Sequence, residues 1–234
     1  MPFAVLPALL PDIHNVYDIY FSSFTADTMG SLMVKILFPS GITPEFREQH
    51  TAGTLAYLHQ SRFQYTWKCV DMETGEIVGM ALGDIYLHER SEEERRDHGV
   101  PWLTGEDRER AERILGPLHE VRERLWGGHK YIYVHVVGVD PKNQGRKAGA
   151  ALVQWGSDLC DHAGIPIYFE SSPSTVKLYE KMGWHRLPES IVHKAADLGV
   201  DEDIEVPLMV KFPTYAGKIT FDEYKAQGYP IFSR

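Results

Sequence analysis

Residues 131–150 read YIYVHVVGVDPKNQGRKAGA, and this stretch decides the fold. Tyr131 to Val139 is dense in β-branched and aromatic residues, which predicts the best strand in the chain. Asp140-Pro141 ends it. A turn with two glycines and two adjacent basic residues, Gln144 to Ala150, then opens a helix from about Ala148 to His162, with Leu152, Trp155 and Leu159 on one face. Ile165 to Glu170 is the next strand. Ser172-Pro173 caps a further helix, Ser174 to Met182, which Gly183 closes.

Upstream, Phe3 to Leu6 reads as a short strand. Pro11-Asp12 starts a helix with Ile13, Val16, Tyr17 and Tyr20 at helical spacing. Thr43-Pro44-Glu45 repeats that start signal, for a helix ending at about His59. Tyr65 to Asp71 and Glu76 to Tyr86 flank Glu73-Thr74-Gly75 and predict a hairpin. Trp184 to Leu187 and Val206 to Phe212 are the last two strands. Strands and helices alternate in the middle of the chain and hairpin-like strands lie at both ends, which predicts an α/β fold with a mixed sheet flanked by helices.

From His88 to Gly128 the composition shifts. Arg90 to Arg96 is almost entirely charged and reads as a solvated face, and Thr104 with Asp107 has the spacing of a capping box. Ile114, Leu115, Leu118, Val121 and Leu125 then share one helical face. The segment is an insertion between two strand regions. His193 and the acidic run Asp201-Glu202-Asp203 read as loop residues.

The chain has 234 residues, with 24 Lys+Arg against 33 Asp+Glu and a net charge of −9. At about 150 residues per domain the length allows one domain or two. The acidic balance argues against a nucleic-acid partner, because such binding is driven by Lys and Arg neutralising phosphates. Cys69 and Cys160 are too few for a disulfide framework, so a reducing, cytoplasmic setting is expected. The stretch from Met1 to Pro11 is apolar but has no basic flank and is broken by prolines, so it reads as neither signal nor anchor. No apolar run approaches the ~18 residues of a membrane span.

The turn after Val139 carries the chemistry. A strand feeding a Gly-containing turn that opens a helix presents backbone N–H groups and the positive end of the helix dipole to an anion. Neither GxxxxGK[ST] nor GxGxxG is present, so a P-loop and a dinucleotide site lack support. HExxH, CxxC and any compact His/Asp/Glu spacing are also missing, so no metal is expected, and without GxSxG a serine hydrolase is disfavoured.

VGVDPKNQGRKAGAALVQWG resembles the coenzyme-A-binding motif of the GNAT superfamily of N-acetyltransferases, Q/R-x-x-G-x-G/A. FESSPSTVKLYEKMGW is similar to the family's next motif, which typically ends L-Y-x-K-x-G-F. The resemblance is strong from Tyr131 to Leu187 and has no counterpart in the insertion. It implies one GNAT-like domain over residues 1–234, interrupted at about 88–128, and acetyl-CoA as co-substrate. On this resemblance Gln144 takes the first place of the motif and Gly149 its last glycine. The amides from Gly145 through Arg146, Lys147, Ala148 and Gly149 to Ala150 would receive the pyrophosphate. Main-chain groups of Val137 and Val139 would hold pantetheine, and Ser174 would add a coenzyme contact. Lys147 departs from the pattern: it stands where the family has its first glycine. Its β-carbon hinders the turn or its ammonium pairs with phosphate.

Amine acetylation must remove a proton. An amine with a pKa of about 10.4 is free in roughly 1 of 2,500 molecules at pH 7. The resemblance puts the base, or water-holding residues, at His135 and Tyr133, which share a strand face with Val137 and Val139. His135 equally reads as a histidine hydrogen-bonded to a neighbour. Tyr179 takes the place of the general-acid tyrosine that protonates the coenzyme sulfur. Glu170 reads as an orienting group or alternative base for the acceptor amine, or as an ordinary strand-end carboxylate. The expected acceptor is a small-molecule primary amine, with a protein amine as competitor and a binding scaffold without transferase activity as the alternative. Monomer and homodimer remain equally open.

Overall fold

In a computed structural model that describes residues 2–58 and 61–233, the apolar run after Pro2 folds as β1 (Phe3–Pro7) and the Pro11-Asp12 signal leads into α1 (Ile13–Thr25). α2 (Thr28–Leu37) was not among the expected elements; the Asp27 side chain caps it by accepting from the Gly30 amide. α3 (Pro44–Leu58) starts where expected, with Thr43 Oγ1 accepting from the Phe46 amide at 3.1 Å. Its expected end at His59 lies outside the described residues. β2 (Gln64–Asp71) and β3 (Ile77–Tyr86) form the antiparallel hairpin.

α4 (Gly105–Trp126) makes up most of the insertion. Thr104 sits at its N-cap, but its side chain makes no capping hydrogen bond, so the expected capping box is not formed. Gly105, at φ +56°, enters the helix through the left-handed region. β4 (Tyr131–Val139) has the expected limits and is followed by α5 (Ala148–Ala163) and β5 (Ile167–Glu170).

α6 (Val176–Lys181) starts later than Ser174. Residues 173–175 form a turn in which Thr175 Oγ1 donates to the Ser172 carbonyl at 3.0 Å. Gly183, at φ +81°, closes the element as expected. β6 (His185–His193) runs well beyond Leu187, so His193 is a buried strand residue rather than a loop residue. α7 (Ala195–Leu198), β7 (Ile204–Lys211) and α8 (Phe221–Ala226) complete the chain.

The strand order is β1-β2-β3-β4-β5-β7-β6. β4 and β5 pair in parallel, through Ile132 with Ile167 and Tyr133 with Tyr168. The β1–β2, β2–β3, β5–β7 and β6–β7 pairs are antiparallel, so the sheet is mixed. Among the described residues no helix is long and apolar enough to cross a membrane.

The chain divides into two compact units, Met1–Ile85 with Val134–Gly156 and Tyr86–Tyr133 with Ser157–Arg234. In the first, Ile13, Val16, Tyr17, Ile19 and Phe21 of α1 pack with Val34, Met80 and Val136. Gly138 on β4 makes this packing possible: a β-carbon there would lie 2.5 Å from Ser23 Oγ on α1. Gly79 on β3 is constrained less sharply: a β-carbon on it would lie 3.1 Å from the Gly138 carbonyl.

In the second unit, Trp126 at the end of α4 is fully buried. It stacks on Tyr131 at 4.5 Å and meets Phe221 edge-on at 5.0 Å. α4 is fixed at three further points. Arg110 Nε donates to the Asp197 carbonyl at 2.5 Å, Arg113 pairs with the Asp197 carboxylate at 2.8 Å, and Arg124 pairs with Glu189. The charged helix α4 is therefore tied to its own unit.

Gly138→Ala is expected to destabilise the protein by about 1–3 kcal/mol, the usual cost of overpacking. Urea denaturation measures it, and the loss should shrink in a Ser23→Ala background, where the clashing oxygen is gone.

Candidate active site

The first unit holds the turn and the C-terminal half of β4. Asp140 leaves β4 with its amide bonded to the Val78 carbonyl at 3.0 Å, and its side chain accepts from the Lys142 amide at 3.1 Å. Gln144, Gly145, Arg146 and Lys147 are exposed, whereas Ala148 is buried at the start of α5. The first amides of a helix have no intrahelical acceptor, so the residues from Ala148 through Gly149 to Ala150 carry the donors that an anion needs.

Two residues in the turn have positive φ, Gly145 at +76° and Lys147 at +75°. For lysine the left-handed region costs about 1–2 kcal/mol. The departure from the family's glycine thus falls on a position whose backbone conformation glycine adopts freely.

Arg146 does not extend away from the protein. Its Nη2 donates to Asp71 Oδ2 at 2.6 Å and its Nη1 to Asn143 Oδ1 at 2.8 Å. Asp71 is buried at the end of β2 and also accepts from the Glu73 amide at 3.0 Å. This pair clamps the turn to the β2–β3 hairpin.

His135 is exposed on β4, and its Nε2 lies 2.8 Å from Asp84 Oδ2 on β3. A carboxylate on one ring nitrogen fixes the ring's orientation and favours the tautomer that carries hydrogen toward it. Val137 and Val139 follow on the same strand, both partly buried. The Val139 side chain lies 3.5 Å from the place a β-carbon would take on Gly149, so strand and turn are in close contact.

The second unit holds the remaining candidates. Tyr133 is buried and donates its hydroxyl to Glu170 Oε2 at 2.8 Å. The Arg122 guanidinium lies over the Tyr133 ring at 4.4 Å, donates to its hydroxyl, and stands 3.9 Å from Glu170 Oε2. Burial, with the Glu170 charge next, pushes the Tyr133 phenol well above its ordinary pKa. A tyrosine in this setting holds a carboxylate.

Tyr179 on α6 packs against Phe169 at 4.5 Å and Trp184 at 5.8 Å, and burial pushes its pKa up to about 12. Ser174 is exposed in the preceding turn, 3.0 Å from Ser172 by their hydroxyl oxygens. Cys160 is buried, with its thiol pushed up to about 12 and directed at the Lys211 carbonyl. Trp126 belongs to the second unit's core.

Sequence reasoning missed Asp84, Asp71, Arg122 and Tyr168. Asp84 and Asp71 are partners of candidates 51 and 75 positions away, whereas Arg122 lies 11 positions from Tyr133 and Tyr168 sits on the strand that bears Glu170. The only local signal was polarity inside or beside an apolar strand, as in Asp71 and Asp84 flanking the hairpin.

The sequence pattern of the acetyltransferase (GNAT) family matches residues 16–184. The chain is 28% identical over 143 residues to a probable acyltransferase, SID5, of Ajellomyces capsulatus, covering 61% of this chain and 99% of that protein. A mosquito arylalkylamine N-acetyltransferase like 5b has a similar structure, with a TM-score of 0.60, 17% identity, and 89% of this chain and 99% of that one covered. So does a GNAT superfamily phosphinothricin acetyltransferase from Sinorhizobium meliloti, solved with AcCoA, at a TM-score of 0.54, 14% identity and 94% coverage of both chains. This protein belongs to the acetyltransferase (GNAT) family.

The Asp71–Arg146 clamp has a defined pH dependence. The Glu73 amide, and then Arg146, hold the Asp71 carboxyl below its ordinary pKa. A depressed folded-state pKa contributes stability above the unfolded value, and that contribution is lost as pH falls through the folded value. Asp71→Asn should therefore be less stable than wild type by a constant margin near neutrality. The margin should narrow below the ordinary carboxylate range, as read from denaturation midpoints across pH.

Proposed function

We propose that the protein is an acetyl-CoA-dependent N-acetyltransferase that moves an acetyl group directly to a primary amine of a small molecule. The observation that carries this reading is the β4–turn–α5 connection, a helix N-terminus with its donors presented directly after the strand that bears His135. The same chain continues into the motif that bears Tyr179. When bound, acetyl-CoA supplies the activated acetyl thioester.

Amides from Gly145 to Ala150 receive the pyrophosphate, with Gln144 at the entry and Lys147 as an exposed cation beside it. Arg146 acts through Asp71, holding the turn in place. Main-chain groups of Val137 and Val139 align pantetheine, and Ser174 adds a coenzyme contact.

His135, oriented by Asp84, takes the proton that leaves the acceptor nitrogen as that nitrogen bonds to the acetyl carbon. Tyr179, a phenol that carries its proton at neutral pH, gives it to the sulfur as the carbon–sulfur bond breaks. Glu170, which accepts from the Tyr133 hydroxyl, orients the acceptor amine or serves as the alternative base. A covalent enzyme intermediate is not required, and the raised pKa of the buried Cys160 thiol leaves it without thiolate character. Small amines are favoured as acceptors because one structural neighbour is named for arylalkylamines.

A second reading is favoured by Lys147 alone. A side chain in the left-handed position of the pyrophosphate turn suits a scaffold that binds another ligand and lacks transferase activity. Titrating acetyl-CoA against thermal unfolding separates the two. Ligand at 100 times its Kd stabilises by about 2.7 kcal/mol, so a clear rise in Tm is expected, and no rise at millimolar acetyl-CoA overturns the transferase reading.

Tyr179→Phe is expected to lower kcat on the order of 10²-fold, with the acetyl-CoA-dependent rise in Tm retained. Thiol release under saturating coenzyme measures it. An unchanged rate removes Tyr179 from the mechanism.

A further inference from the structure

β1 and β2 run antiparallel with Phe3 opposite Asp71, so the two side chains lie on one face of the sheet. The guanidinium of Arg146, from the turn after β4, meets both. It donates to Asp71 Oδ2 at 2.6 Å and lies 5.4 Å from the centre of the Phe3 ring. Asp71 is itself held firmly, with its side chain 1% exposed. Its Oδ1 accepts from the Glu73 amide at 3.0 Å, and its own amide donates to the Glu76 carbonyl at 2.9 Å. The next amide, of Met72, donates to the Pro2 carbonyl at 2.6 Å and fixes the start of β1 to the same point.

The turn needs such an anchor. Residues 144–147 are exposed, and Lys147 holds a left-handed backbone at φ +75° that a side chain disfavours. Among the described residues, Arg146 is the only side chain of these four with a hydrogen bond or ion pair.

We propose that Asp71 and Phe3 are positioning residues for the coenzyme, acting through Arg146 to hold the pyrophosphate turn in its binding conformation. The first strand of the chain thereby supports the coenzyme site. This deepens the acetyl-CoA reading above and rests on it. Simple electrostatics gives the opposite sign: a carboxylate near the site of a polyanion repels it, so removing the charge should tighten binding. The geometry overrides that effect. Asp71 is buried with its charge directed at Arg146, and releasing Arg146 frees an exposed turn to leave the one conformation that presents its amides. When only a fraction of molecules holds the competent conformation, apparent affinity falls by that fraction.

The test is coenzyme affinity in the full chain, read as the KM for acetyl-CoA from thiol release and as its Kd from calorimetry. Asp71→Asn should raise both about tenfold, with kcat at saturating coenzyme within about twofold of wild type. Arg146→Gln and the double variant should show the same rise, because each breaks the same contact and the effects do not add. Phe3→Leu should raise KM roughly two- to fivefold, and Phe3→Tyr, which keeps the ring, should retain the wild-type value. A mere loss of folded protein lowers apparent kcat and leaves KM in place, so it is told apart from positioning.

An unchanged or lower KM in folded Asp71→Asn overturns the proposal and leaves the transferase reading standing. Additive losses in the double variant do the same. If Asp71→Asn does not fold, the Phe3 pair decides: a rise in Phe3→Leu that is absent from Phe3→Tyr supports the proposal, and equal values in both overturn it. Acetyl-CoA binding that weakens in these variants without any turnover supports the positioning role and overturns the transferase reading. No binding of acetyl-CoA by the wild type overturns both.

Discussion

A parallel pair of strands cannot be joined by a hairpin, and the pairing of β4 with β5 therefore forces the chain through a crossover helix. Much else in the molecule follows from that constraint. α5 must begin just past the end of β4, which leaves the turn and the first helical amides at the strand's exit. The strand that carries His135 thereby also delivers the donors for an anion. Glycine at residue 138 lets α1 lie close to β4, and glycine at residue 79 lets β3 do the same.

The charge distribution is more specific than a net −9 suggests. Arg146 is neutralised by Asp71 and serves as a fastening, whereas Lys147 stands exposed in a backbone conformation that lysine seldom adopts. In α4, Arg110, Arg113, Arg122 and Arg124 all find partners within the second unit. The insertion is thus a strut held by ion pairs and by the burial of Trp126. Exposed pairs such as Arg124–Glu189 contribute little to stability, so positioning is the better account of their value.

Glu170 shows how a buried carboxylate is kept in a central strand. It sits at the end of β5, where one oxygen accepts from the Tyr133 hydroxyl and faces the Arg122 guanidinium. An apolar residue in its place would leave that hydroxyl and that guanidinium without their acceptor, and breaking a buried pair in this way is destabilising.

The sequence by itself determined the β4–turn–α5 segment, the hairpin, the parallel of LYEKMG with the family's second motif, and Tyr179 within it. These are local patterns: β-branched density, turn glycines and helix start signals act within a few residues of one another. It missed α2, α7 and α8, placed the start of α6 at Ser174, and ended β6 too early, because short elements depend on packing more than on their own propensity. Only the tertiary structure decided the partners of the site residues. His135 and Asp84 are 51 positions apart, Arg146 and Asp71 75, and Tyr133 and Glu170 37. A side chain's polarity is written in its own residue, but which group it meets is set by strand register and helix packing, and these bring distant segments together only in the folded chain.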